Sequence, residues 1–160
     1  MTEPLHRFEV ITAQHDVSRF NSHDAYLDYV LREKALDYTV RDLARTYVLL
    51  EHDEVIGYLT LQADSIAGEQ ISMPLVHVLF LARNYSHRGR GLGDVLLLEA
   101  LRQTVIASEV IGVAGIYLAY TAEGKRLYDK YGFGEHPYPY HLLLPINVIR
   151  TILQDIDTLP

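Results

Sequence analysis

The chain has 160 residues, of which 49% are hydrophobic and 22% charged, enough for one soluble domain with a proper hydrophobic core. It contains no cysteine, which removes disulfide frameworks, thiolate metal sites and cysteine nucleophiles from consideration. A formal net charge of -7 speaks against a general nucleic-acid or membrane-surface binder, since both need cationic surface, but leaves room for a local basic face.

Taken in chain order, "MTEPLHRFEV" has charges where a signal peptide would need an apolar core. No apolar run approaches the roughly 18 residues that span a bilayer, so a cytoplasmic protein without membrane contact is expected. "RFEVIT" alternates as a strand does. Ser22 or Asp24 can cap a helix whose apolar positions are Tyr26, Leu27, Val30 and Leu31, and this helix runs on or restarts through "VRDLAR". "TYVLLE" and "VIGYLTLQA" flank His52-Asp53-Glu54 as a β-hairpin. "PLVHVLFLAR" is apolar on both faces and should be central in its sheet. A glycine-rich turn follows, then a helix from about Gly93 to Ile111, a buried strand "VAGIYLAYT", and a short helix "AEGKRLYDKY" closed by Gly132. "HLLLPI" and "NVIRTILQDI" read as a last strand and a last helix. With no repeat, low-complexity segment or linker, the pattern predicts a single α/β domain over residues 1–160, with a mixed sheet.

The turn "RGRGLG" carries the clearest chemistry. A helix N-terminus presents unpaired N–H groups and partial positive charge, glycines let the backbone approach a phosphate, and arginines add charge-assisted bonds. Taken alone, it reads equally well as a plain turn. It is not a P-loop, because Leu92-Gly93-Asp94 stands where Gly-Lys-Ser/Thr is needed. A dinucleotide fingerprint should follow the first strand of a βαβ unit and have an acidic residue at the end of the next strand, which here ends "LAYT" with none.

A second segment, "LYDKYGFGE", lies one helix and one strand further on. Together the two resemble the GNAT superfamily of acyl-CoA N-acyltransferases. Arg88, Gly91 and Gly93 meet its Arg/Gln-x-x-Gly-x-Gly/Ala motif, and Tyr128 with Tyr131-Gly132-Phe133 meets its later Tyr-containing signature. The N-terminal half is similar to GNAT toxins of type II toxin–antitoxin modules at Phe20, Ser22, Leu31, Ala35, Arg45, Val48, Gly57, Tyr58 and Leu61. The resemblance implies a GNAT fold, with a mixed, mostly antiparallel central sheet flanked by helices and strands splayed at the acyl-CoA site. It implies acetyl-CoA as cosubstrate and no metal. Backbone at Leu81 and Arg83 would hold the acyl arm, and Arg88, Gly89, Arg90, Gly91, Leu92, Gly93 and Asp94 the pyrophosphate. Tyr128 would be the acid that protonates the leaving thiolate, whose free thiol has a pKa near ~8.5; it can also be read as a packing residue.

Members of that toxin group acetylate the amino group of aminoacyl-tRNA, dimerise, and are neutralised by a small DNA-binding antitoxin. Aminoacyl-tRNA is therefore the expected acceptor, with a small-molecule or protein amine as the alternative and a catalytically silent acyl-CoA-binding or partner-binding module as the second. Binding tRNA would require three basic groups to converge: Arg83, Arg88 and Arg90; Lys125, Arg126 and Lys130; and Arg32, Lys34, Arg41 and Arg45. For a general base, Glu69, His77 and His87 are possible by residue type and none is placed by a motif; the lowered pKa of an aminoacyl ester amine would also suit a water chain or no base. The chain departs from the family in having Thr121 where an Asn is frequent and Gly124 where an Ala is usual, the latter inside a helix with close approach to cofactor as one reason. Ser22-His23-Asp24 are adjacent residues that cannot form a hydrolase triad. His136 and His141 bracket "PYPY" as a loop rather than a metal pair. Ile149, Ile152 and Leu153 of the last helix either form an interface or close the core.

Overall fold

The computed structural model describes residues 6–136 and 138–157. Residues 1–5 of the N-terminal stretch, and Pro137 of "PYPY", lie outside the described residues. The elements are β1 (His6–Val10), α1 (Ala25–Glu33), α2 (Ala35–Val40), β2 (Arg45–Glu51), β3 (Glu54–Ile66), β4 (Met73–Arg83), α3 (Leu92–Ser108), β5 (Gly115–Ala119), α4 (Lys125–Asp129), β6 (Gly134–Glu135), β7 (His141–Pro145) and α5 (Ile146–Asp157), with a 3-10 turn at Tyr85–His87. Seven strands form one sheet in the order β1-β2-β3-β4-β5-β7-β6. The β4–β5 pair is parallel, while β1–β2, β2–β3, β5–β7 and β6–β7 are antiparallel. The mixed, mostly antiparallel sheet and the central place of β4 agree with the sequence.

The described residues divide into two compact units, one comprising those up to Gln62 with Phe80–Leu97, the other Ala63–Leu79 with those from Leu98 on. In the first, Ile11, Phe20, Leu31, Ala35, Val48, Leu50, Val55, Tyr58 and Ala82 form one buried cluster. Five of the toxin-like positions are therefore core neighbours: Phe20 meets Tyr58 edge-on at 5.6 Å, and the Tyr58 hydroxyl donates to the Leu27 carbonyl at 2.7 Å. Gly57 is small because an added Cβ would meet the Ala82 carbonyl oxygen and a Leu96 methyl, both at 3.3 Å.

Asp24, not Ser22, caps α1, accepting from the N–H groups of Tyr26 and Leu27 at 3.0 and 3.1 Å. Ser22 instead donates to buried Asp28 through both its N–H and its hydroxyl. Asp28 takes an inward position while Tyr26 is exposed, so the apolar face differs from the one expected at that point. Asp24→Ala should cost about 1 kcal/mol by removing the cap, measurable as a lower urea midpoint with unchanged slope; an unchanged midpoint would reject it.

The helix restarts at Ala35 but stops at Val40, so "VRDLAR" is not helical. Asp42 takes φ +57°, and the N–H of Leu43 turns back to the Tyr38 carbonyl at 2.9 Å, which closes the last turn before β2. Similarly, α3 ends at Ser108 rather than Ile111. The Ser108 hydroxyl donates to the Val105 carbonyl at 2.6 Å, and Val110 and Ile111 project into solvent without packing to extend the helix.

In the second unit α5 packs against β5 and β7. Ile149 and Leu153 are buried and Ile152 half-buried, so Ile149 and Leu153 close the core. The two-residue β6 has too little pattern to be seen in the sequence.

Candidate active site

The approach to the glycine turn is pinned within the first unit. A register shift in the β2–β3 ladder pairs Leu49 with Gly57 and Leu50 with Val55, leaving Ile56 unpaired in that ladder. The Ile56 carbonyl accepts from the N–H of buried Asn84 at 2.8 Å, and the Asn21 carbonyl accepts from that of Tyr85 at 2.8 Å. Leu81 and Arg83, half-buried near the end of β4, lead into this anchored segment.

Gly89 and Gly91 then take φ +80° and +73°, a region that favours glycine. A Cβ at either position would meet nothing within 4 Å, so the backbone of the turn stands open. The Gly91 carbonyl accepts the first helical bond, from Val95 N–H at 3.2 Å. Leu92 is buried, while Gly93 and Asp94 are half-buried in the first turn of α3. Arg88 lies over the Tyr85 ring at 4.3 Å. Arg90 donates to Glu51 Oε2 at 2.5 Å, and His6 Nε2 lies 3.1 Å from the same oxygen. The Arg90 bond is the main reason that the Glu51 carboxyl sits below its usual range. Glu51 was not identified from the sequence; it ends the strand before a hairpin turn, where an acidic residue is unremarkable.

In the second unit, Tyr128 is buried on α4 with its ring edge-on to Phe133 at 5.6 Å. Gly132, at φ +83°, reverses the chain so that Phe133 returns to this ring. The Tyr128 signature thus encodes one turn and its lock. Burial raises the phenol's pKa, so it remains protonated at neutral pH.

Gly124 is the N-cap residue just before α4, not one inside it. A Cβ there would crowd Thr121 Oγ1 at 3.3 Å, which would have to give way slightly, and would make ordinary contact with Tyr128 Cε2 at 3.6 Å. Thr121 Oγ1 accepts from Gly124 N–H at 3.1 Å and thereby holds the start of the helix.

Of the three candidate bases, Glu69 is exposed in the β3–β4 connection, and His87 lies 3.0 Å from Ser86 Oγ. His77 on β4 stacks on Tyr117 of β5, beside Asp64 of β3. Neither Asp64 nor Tyr117 was picked out by a motif; the alternation along β3 and β5 places them on faces but does not pair them. Ser22, His23 and Asp24 form no triad: the His23 ring stacks on Tyr85 at 3.4 Å and Ser22 is bound to Asp28. Among the described residues no group of three or more metal-ligating side chains is present, and His136 joins His141 through a backbone bond of 3.1 Å.

The sequence profile of the Acetyltransferase (GNAT) domain family matches residues 42–135, from the turn between α2 and β2 through the Tyr128 signature. The chain belongs to the GNAT acetyltransferases. The "tRNA-acetylating toxin" of Mycobacterium tuberculosis is 30% identical to this GNAT chain over 152 residues, covering 88% of the chain and 92% of the relative. A Tyr-to-Phe mutant of the toxin AtaT, bound to the C-terminus of the antitoxin AtaR and acetyl-CoA, shares the fold with a TM-score of 0.85 at 23% identity, over 94% of this chain and 99% of that one. AtaT complexed with acetyl-methionyl-tRNAfMet superposes with a TM-score of 0.85 at 21% identity, over 92% and 99% of the two chains. Among the described residues of this GNAT chain, no helix is long and apolar enough to cross a membrane.

Proposed function

We propose that this GNAT acetyltransferase transfers an acetyl group from acetyl-CoA to the amino group of aminoacyl-tRNA, as the toxin of a toxin–antitoxin pair. The observation that carries the acceptor is the 30% identity to a tRNA-acetylating toxin across 92% of that relative. On this reading the protein is cytoplasmic, a single catalytic domain, a homodimer, and the target of a small antitoxin protein.

The residues present fit acetyl-CoA. Arg88, Gly89, Arg90, Gly91, Leu92, Gly93 and Asp94 form a turn whose backbone is unobstructed at both positive-φ glycines, with two guanidinium groups in the same stretch. That is the chemistry a pyrophosphate requires. Backbone N–H groups at Leu81 and Arg83 are assigned to the acyl arm. In support, the β4–β5 ladder stops at Val78–Leu118 while β4 runs on to Arg83. Bound acetyl-CoA supplies an activated acyl thioester. Tyr128 donates its proton to the departing sulfur.

Glu51 competes for Arg90 in this arrangement. Glu51→Gln should tighten acetyl-CoA binding about twofold to fivefold at low salt, with the gain fading at high ionic strength. Titration calorimetry at two salt concentrations checks this, and weaker binding by the variant would reject the role of Arg90.

The net charge of -7 favours a second reading, a small-molecule or protein amine as acceptor. Two arginines of the loosest basic group are also paired, Arg41 with Asp37 and Arg45 with Asp42. Incubation with labelled acetyl-CoA and a pool of charged tRNA distinguishes the two. Acid-precipitable label that base hydrolysis releases as acetylated amino acid is the expected result. Absence of that label, from protein that binds acetyl-CoA, would overturn the tRNA acceptor.

A further inference from the structure

The parallel β4–β5 ladder pairs His77 with Tyr117 and ends one pair later, at Val78 and Leu118. The His77 and Tyr117 side chains therefore share a sheet face next to the point where the two strands cease to be joined. Their rings stack with centroids 4.3 Å apart and planes 21° apart. Asp64, from β3, completes the group: its Oδ2 accepts from the Tyr117 hydroxyl and lies 3.5 Å from His77 Nδ1. His141 of β7 and His136 lie with ring centroids 5.9 and 6.4 Å from that of Tyr117. The side chains of His77 and Asp64 keep 18% and 38% exposure, so the group is held in place yet reachable from solvent.

We infer that His77 is the proton acceptor for the ammonium group of the acyl acceptor, with Asp64 and Tyr117 as the residues that position its ring. The inference rests on the acetyl-transfer reading above and names the base that no motif supplied. An ammonium nitrogen has no lone pair and must lose one proton before it can attack an acyl carbon. With Nδ1–H turned to the Asp64 carboxylate, Nε2 carries the free lone pair. The N–H bond of the ammonium breaks with its electrons left on nitrogen, the proton joins Nε2, and the imidazolium beside Asp64 later releases it to water. No redox partner is needed.

The electrostatics agree with this assignment. Burial lowers the pKa of His77, so the ring is neutral at pH 7; Asp64 opposes that effect, and His141 adds to it. Asp64 itself is held below the usual carboxylate range, first by the Tyr117 hydroxyl, and so stays ionised. An α-ammonium group has a pKa of about 7.7–8.0 at a chain end and lower in an ester, within reach of such a base.

The test is the pH dependence of kcat/KM between pH 6 and 9, for charged tRNA and for an amino acid methyl ester, with acetyl-CoA binding measured in parallel. His77→Gln should bind acetyl-CoA as wild type does. Its deficit should be about 10²-fold near pH 6.5 and close to within about threefold at pH 9, where the amine is already neutral. Asp64→Asn should move the acidic limb of the wild-type profile to lower pH, because the ring loses the carboxylate that raises its pKa. A His77→Gln profile that parallels wild type at every pH overturns the base assignment and leaves the tRNA reading intact. An unmoved limb in Asp64→Asn overturns the positioning role. His77-dependent acetylation of the ester but not of charged tRNA supports the base and overturns the tRNA acceptor. Transfer to neither amine overturns both.

Discussion

Tyr128→Phe is expected to lower the rate of acetyl transfer by about 10²- to 10³-fold while leaving acetyl-CoA affinity unchanged. The substitution removes one hydroxyl and keeps the ring that packs edge-on against Phe133. The fold should therefore tolerate it, and melting temperatures of the two proteins should agree within a few degrees. A thiolate leaving group gains from a nearby acid because it would otherwise depart as an anion into a partly desolvated site. A buried phenol suits this role, since its raised pKa keeps the proton available at neutral pH. The pH profile carries the sign of the argument. An acid works only while protonated, so wild-type activity should persist into alkaline conditions and fall only above the raised phenol pKa, and Tyr128→Phe should lack that alkaline fall. Single-turnover rates and acetyl-CoA titrations on both proteins measure each part. Transfer at the wild-type rate by Tyr128→Phe would remove Tyr128 from the chemistry and return it to the packing role that its burial equally allows.

The legible parts of this chain were those where one local signal sufficed. The β2–β3 hairpin follows from two apolar runs around His52-Asp53-Glu54, and the glycine turn from φ values that its glycines take readily. The toxin-like positions Phe20, Leu31, Ala35, Val48 and Tyr58 were legible as a pattern before their reason was visible, which is that they fill one cluster. What stayed hidden required three-dimensional neighbours. Asp64, His77 and Tyr117 come from three strands and meet only because the sheet order sets β3, β4 and β5 side by side. Glu51 becomes informative only once Arg90 is found on it. Gly124 reads as a helix-interior glycine in the sequence, yet α4 begins one residue after it, and the tight neighbour of a Cβ there would be Thr121. Tyr26, expected on the apolar face, is exposed, while Asp28 turns inward because Ser22 offers it two hydrogen bonds, which lets a carboxylate be buried.

Gly115→Ala should destabilise the protein by about 2–3 kcal/mol through overpacking and lower Tm by about 4–12 °C for a chain of this size. The reason lies in the sheet rather than in backbone conformation. Gly115 opens β5 between two partners, pairing with Leu75 of β4 and with Pro145 of β7. An added Cβ would lie 2.5 Å from the Leu144 carbonyl oxygen and 3.2 Å from Pro145 Cα. Both atoms belong to backbone, which cannot swing aside as a side-chain tip can, so β7 must shift or β5 must lose its register. The same strand carries Tyr117 two residues on, so a displaced β5 should also disturb the His77–Tyr117 stack and lower acetyl transfer at pH 6.5 more than at pH 9. Gly112→Ala is the control, because a Cβ there would meet nothing within 4 Å. It should melt within a degree or two of wild type. Equal melting temperatures for Gly115→Ala and Gly112→Ala would mean that the junction of β4, β5 and β7 is looser than its backbone spacing implies, and the close packing assigned to Gly115 would then be wrong.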